Sequence, residues 1–209
     1  MSKIVILGAT GATGKAIIKH FMTTTHDIIA IARKPQPTDF KGKWIQQDSP
    51  TAITDLKPDH IICSLGTTKK AAGSAENFIK IDHDLVIEYA KMLHHLNPES
   101  TFTYVSSTGA NPNSMFLYPK SKGKTELDLM AIGFKKCWIL RPGLLLIDEK
   151  RPDQRWIEDV FLFLASILPF NELFAIKVTS IAKCMQHLIE KQPTQSIIEH
   201  KTIHAFSKS

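Results

Sequence analysis

Gly8, Gly11 and Gly14 stand at three-residue spacing directly after the apolar run Ile4-Val-Ile-Leu7. The run is short and rich in β-branched residues, which reads as a strand buried on both faces. Beyond the glycines, Ala16, Ile17, Ile18, Phe21 and Met22 recur at helical spacing. The order strand, glycine turn, helix suits a diphosphate. Glycine admits close backbone approach and positive φ, and the free N–H groups at a helix start attract an anion. The spacing G-x-x-G-x-x-G departs from the G-x-G-x-x-G dinucleotide fingerprint. A turn that merely packs a helix closely on a strand is the competing reading. On the binding reading, Gly8, Thr10, Gly11, Ala12, Thr13 and Gly14 contact the cofactor.

The chain has 209 residues, 43% of them hydrophobic, enough for one substantial core. No leader-like segment opens it, and no apolar stretch approaches the ~20 residues of a membrane span. Cys63, Cys137 and Cys184 are few, odd in number and far apart, so they read as buried thiols in a reducing cytoplasm. The nine histidines show no metal-binding spacing, and His94-His95 reads as a solvated helix end. The net charge of +6 comes from scattered lysines without a basic, aromatic-interleaved run, which argues against nucleic acid and fits an anionic cofactor.

Asp27 to Ala32 reads as a second strand that ends in Arg33 and Lys34. At this place an acidic residue accepts from a ribose 2′-OH, whereas arginine accommodates a 2′-phosphate. An Arg fork matches phosphate geometry and Lys adds a point charge, so NADP(H) is expected rather than NAD(H). Trp44-Ile45 is a weak third strand. Asp48 after it either approaches the adenine edge or caps a turn. Asp59 to Gly66 is a strong fourth strand, placing Leu65 and Gly66 at the carboxyl edge where ligands of such folds sit. Lys69 to Asn77 reads as a loop and Phe78 to Leu96 as one long helix. Thr101 to Gly109 reads as a fifth strand, ending in the hydroxyls of Ser106, Ser107 and Thr108 and in glycine. Tyr118 opens a helix running to about Ile132, and Trp138 to Leu140 is a sixth strand. Ser180 is placed as the cap of a last helix, Ile181 to Lys191. The apolar stretch Trp156 to Leu168 suits core, a substrate lid or a dimer face, with core preferred. A homodimer therefore stays open.

This alternation, without repeats or linkers, predicts an α/β chain with a doubly wound parallel sheet, a Rossmann fold. Residues 1–209 read as a single NAD(P)-binding unit, with 148–209 a small appendage partly forming the substrate side.

Tyr118 and Lys122 lie four apart, on one face of a helix. A tyrosine ionises near pH 10 in isolation, and a nearby ammonium favours the phenolate. Hydride transfer to a carbonyl requires a proton at the oxygen, which such a tyrosine delivers. A hydroxyl from Ser106 or Ser107 can polarise the same oxygen. Pro119 disfavours helical geometry at Tyr118, which puts the tyrosine at the first turn or cap.

The motifs G-A-T-G-x-x-G, V-S-S, Y-P-K-S-K and I-L-R-P-G resemble the short-chain dehydrogenase/reductase superfamily, most of all its extended and atypical branches. Cys63-Ser-Leu-Gly-Thr-Thr68, Ser106-Ser-Thr-Gly-Ala110, Phe116-Leu-Tyr118 and Arg141-Pro-Gly-Leu-Leu145 are similar to the Tat-interacting-protein oxidoreductases and their fungal and bacterial relatives. The resemblance covers about residues 3 to 150. It implies an NADP(H)-binding domain and a small-molecule substrate. Tyr118 would be proton donor or acceptor, and Lys122 would hold the nicotinamide ribose and tune the tyrosine. One serine would assist, with Ser107 chosen over Ser106. Pro142, Gly143 and Leu145 would line the nicotinamide side, and Arg151 would close over the cofactor. Such a site suits an NADPH-dependent carbonyl reductase. The alternatives are an NADP(H)-binding redox-sensing regulator with little turnover, and an epimerase holding NAD, which Arg33 and Lys34 disfavour.

Overall fold

Ile4 and Ile6 point into one hydrophobic core and Val5 and Leu7 into another, all four almost wholly buried. This is the period of two expected of a strand covered on both faces. The structure is a computed structural model that describes residues 1–50, 53–146 and 175–208. Arg151 and the stretch Trp156 to Leu168 lie outside the described residues.

The first half runs β1 (Lys3–Leu7), α1 (Ala12–Phe21), β2 (Asp27–Ala32), β3 (Lys43–Gln46), β4 (His60–Cys63), α2 (Lys69–Ala72) and α3 (Ala75–Ile79). A π-helical turn (Lys80–Asp84) then leads into α4 (Leu85–Leu96) and β5 (Thr101–Val105). The rest is α5 (Leu117–Ala131), β6 (Lys136–Arg141), β7 (Leu144–Leu146), β8 (Ala175–Lys177), α6 (Val178–Lys191), β9 (Ile197–Glu199) and α7 (His200–Phe206). Seven strands form one sheet in the order β3-β2-β1-β4-β5-β6-β9, and β7 and β8 form a separate pair. Every pairing is parallel. The order reverses between β1 and β4, and the crevice outside their carboxyl ends is where open α/β sheets hold ligands. The doubly wound Rossmann fold is therefore present.

Residues of α1, α6 and α7 cover one face of the sheet, through Ile17, Phe21, Ile181, Met185 and Ile203. Residues of α4 and α5 cover the other, through Val86, Tyr89, Leu93 and Leu129.

Four expectations change. Lys69 to Asn77 is helical, because Thr68 and Ser74 cap two short helices by accepting from Ala71 N and Asn77 N. Phe78 to Leu96 is one continuous helical run, but a π turn interrupts its α-helical bonding, inserting a residue and directing Asp82 inward. Ser180 is no cap: α6 starts at Val178 with Lys177 before it, and β9 and α7 follow it. Val178 is buried, so packing carries the helix start beyond the polar residue. His94 is also only partly solvated, packing edge-on against Phe134 at 4.9 Å.

Candidate active site

The glycine turn closes tightly between β1 and α1. Gly8 has φ +82°, and a Cβ there would sit 2.7 Å from Ser64 C, in the loop after β4. A Cβ at Gly14 would sit 2.1 Å from Gly8 O. Only glycine fits both places. Gly11 is the exposed N-cap of α1, with no side-chain cap and no acidic residue in the first turn. The helix start, with Ala12 and Thr13 half-buried, thus offers N–H groups with no carboxylate competing for them, which fits a diphosphate. Thr10 is half-buried in the same turn.

Arg33 and Lys34 are exposed at the carboxyl end of β2, beside β1. Their carbonyls are occupied, accepting from Gln46 Nε2 and Trp44 Nε1, while their side chains face solvent. Asp48 is exposed after β3. Burial pushes the Tyr89 phenol above the ordinary tyrosine range, against a hydrogen bond from Gln47; Asp48 adds to the rise and Arg33 opposes it. Arg33 and Asp48 therefore share one neighbourhood.

Past β4, Leu65 and Gly66 run alongside the glycine turn, since a Cβ at Gly8 would also meet Leu65 N at 2.8 Å. Thr67 N donates to Asp82 Oδ2 at 2.6 Å. The Asp82 Oδ1 is 2.9 Å from Lys122 Nζ, and both side chains are buried. Lys122 Nζ also donates to Tyr104 Oη at 2.9 Å and sits 6.0 Å from the Tyr118 ring centroid. Burial pulls the Lys122 pKa down, yet Asp82, Tyr104 and Tyr118 outweigh it and the ammonium is held well above the usual lysine value. Tyr118 is half-buried in the first turn of α5, where Pro119 is tolerated, and its ring lies 6.0 Å from Phe78.

Ser106 and Ser107 are both buried at the end of β5, but their surroundings differ. Ser106 Oγ donates to Glu126 Oε1. Glu126 also accepts from Arg141 Nε at 3.1 Å and Nη2 at 2.6 Å, and that hydrogen bonding holds the guanidinium charged. The Ser107 hydroxyl has no partner among the described residues. The loop beyond it is tied to α5, with Asn111 N donating to Pro119 O at 2.9 Å. It is tied to β6 as well, with Thr108 N donating to Pro142 O at 2.8 Å. Pro142 and Gly143 thus lie beside the serine loop, and Gly143 N donates to His200 Nδ1 at 3.1 Å. Leu145 is partly buried in β7 and packs on the core.

Asp82, Tyr104, Glu126 and Arg141 escape the sequence reading. For Glu126 a signal existed, since it falls four residues after Lys122 on a helix with few apolar residues. A buried helix face of that composition has to pair its polar groups. Among the described residues there is no His/Cys/Asp/Glu group able to hold a metal and no helix long and apolar enough to cross a membrane.

Residues 4–126 match the NAD dependent epimerase/dehydratase family. "Protein fmp52, mitochondrial" of Aspergillus niger is 35% identical over 184 residues, covering 80% of this chain and 76% of that one. Among solved structures, MoeE5 in complex with UDP-glucuronic acid and NAD aligns with a TM-score of 0.74 at 12% identity, covering 95% of this chain and 76% of that one. Human epimerase family protein SDR39U1 with NADPH aligns with a TM-score of 0.67 at 17% identity, covering 94% and 73%. These structures share the fold, one holding NAD and the other NADPH. The fungal name overturns the cytoplasmic expectation. Reduced, buried cysteines suit any reducing aqueous compartment, so they never distinguished the cytosol from a mitochondrial one. With more than half of its length matched by the family and a relative above 30% identity spanning most of both chains, this chain belongs to the NAD dependent epimerase/dehydratase family.

Proposed function

We propose that the chain is an NADP(H)-dependent oxidoreductase that reduces a carbonyl or related small electrophile, with Tyr118 as proton donor. The observation that carries this reading is the Ser107 hydroxyl, buried and without a partner among the described residues. A buried polar group of this kind calls for an explanation, and a substrate oxygen supplies one. The same β5–α5 unit bears Tyr118 and Lys122.

When bound, the cofactor supplies a hydride. The N–H groups of the Gly8–Gly14 turn hold its diphosphate, Arg33 and Lys34 hold a 2′-phosphate, and Lys122 donates to ribose hydroxyls. Asp48, Leu65, Gly66, Pro142 and Leu145 complete the binding surface. Ser107 donates a hydrogen bond to the substrate oxygen, and Tyr118 delivers a proton to it. Within the family, the motifs quoted above support a place near the Tat-interacting-protein oxidoreductases. Residues 1–209 act as one unit, a reading supported by the single core that joins β1 and α1 to α6, β9 and α7. The name of the fungal relative supports a mitochondrial setting.

The test is NADPH oxidation by the purified protein against a panel of small carbonyl compounds, repeated with Tyr118→Phe. Loss of the phenol should slow turnover by about 10²–10⁴-fold while the cofactor still binds. Near-normal turnover in Tyr118→Phe would place the proton source elsewhere. Tight NADPH binding with no turnover on any compound would leave a regulator.

A further inference from the structure

β3 lies at the edge of the sheet, and two of its side chains reach across to the bend that follows β2. Trp44 and Gln46 are two positions apart, so they share one face of the strand. Their register partners on β2 are Ala30 and Ala32, small side chains that leave room above them. Backbone pairing of the two strands reaches as far as Ala32 O, which accepts from Gln47 N at 2.9 Å. The next two carbonyls are held by side chains instead. Gln46 Nε2 donates to Arg33 O at 3.4 Å, and the Trp44 indole N–H donates to Lys34 O at 3.0 Å.

Trp44 is itself fixed in place. Its ring packs edge-on against the buried Phe40, with centroids 5.2 Å apart. Gly42 makes room for that ring, since a Cβ there would sit 2.9 Å from Phe40 Cζ. Gln36 Nε2 donates to Phe40 O at 3.2 Å, closing the connection between the strands. The anchor is therefore built into the core, while the two cations that follow β2 stay exposed.

Long cationic side chains lose rotamer freedom when they close on a ligand, about 2 kcal/mol each at most. A backbone already fixed removes part of the ordering cost of binding. We propose that Trp44, assisted by Gln46, is a positioning residue for cofactor choice: by holding the Lys34 and Arg33 carbonyls against β3, it presents both cations preorganised for the 2′-phosphate that separates NADP(H) from NAD(H). Trp44 acts through Arg33 and Lys34, so the inference rests on the cofactor reading given above.

The experiment measures NADPH and NADH dissociation constants by fluorescence titration and reads their ratio. Trp44→Phe removes the donor and keeps an aromatic ring against Phe40. NADPH affinity should fall by about threefold to tenfold, the worth of one net hydrogen bond, while NADH affinity is unchanged. Equal losses for the two cofactors overturn the proposal. Gln46→Met removes the longer bond at an exposed position and should move the ratio the same way by about twofold. Should Trp44→Phe fail to fold, Gln46→Met decides alone. Added to Arg33→Ser/Lys34→Ser, Trp44→Phe should cost NADPH nothing more, because its effect passes through those cations. A further threefold loss in that background overturns the proposal. A ratio moved by Arg33→Ser/Lys34→Ser but not by Trp44→Phe overturns it alone and leaves the cofactor reading standing. A ratio unmoved by either change sinks the 2′-phosphate reading and this inference with it.

Discussion

Ser106 donates its hydroxyl proton to the buried carboxylate of Glu126, twenty residues away on α5. Ser107, the next residue, has no such partner among the described residues. Two side chains that look equivalent in sequence are thereby separated into one that holds structure and one that is available to a ligand. Ser107→Ala should lower kcat by about 10²–10³-fold, the usual loss when one oxyanion donor goes, with stability nearly unchanged. Ser106→Ala should show the reverse, a stability loss of about 1–3 kcal/mol from the buried acceptor left short of a donor, with kcat close to wild type. Denaturant titrations paired with steady-state kinetics on both variants check this.

Asp82→Ala should be strongly destabilising. It leaves the Lys122 ammonium buried and uncompensated, at a cost of about 3–5 kcal/mol. The double variant Asp82→Asn/Lys122→Met should recover most of that loss. Urea unfolding of the two proteins measures it, and equal losses in both would show that the pair contributes by packing alone.

Stability should fall on the alkaline side. Cys63 and Cys184 are buried, and burial pushes each thiol up to about 12 in the folded chain, as it does Cys137. A group whose folded pKa is raised contributes stability that is present below the unfolded value and lost as pH rises toward the folded one. The decline should begin near pH ~8.5, where unfolded thiols ionise. It should steepen above about pH 10, as the Tyr104 phenol and the Lys122 ammonium join with raised values of their own. Each fully coupled group adds a slope of about 1.4 kcal/mol per pH unit. Unfolding free energies measured across the alkaline range should trace this curve, and a flat curve to pH ~11 would contradict it.

Cofactor preference tests Arg33 and Lys34. Replacing both with serine removes charge-assisted bonds worth about 1.5–3 kcal/mol each. NADPH affinity should fall by at least about tenfold while NADH affinity changes little. Equal losses for the two cofactors, measured by fluorescence titration, would show that neither side chain meets a 2′-phosphate.

The β1–turn–α1 unit was legible from sequence because everything that makes it is local. Apolar alternation, glycine spacing and helical periodicity all lie between Lys3 and Phe21. The parallel sheet followed from the alternation of strands and helices, because a parallel pair needs a crossover between its strands. Tyr118 and Lys122 were legible because one helical turn joins them. The two short helices after β4 were not, since their caps sit in a polar stretch that reads equally well as loop. β9 was missed for another reason: three residues carry little periodicity, and Ile197 to Glu199 is a strand only because β6 offers it an edge. Asp82 is the plainest case. Nothing local distinguishes it from the exposed Asp84 two positions on. Its meaning comes from Lys122, forty residues later, and from a π turn that aims it there. The sequence by itself determined the longer elements and their order, because periodicity and turn chemistry act over a few residues. Tertiary structure alone decided which polar side chains are buried together, because desolvation and ion pairing depend on distances that only the packed sheet and helices set.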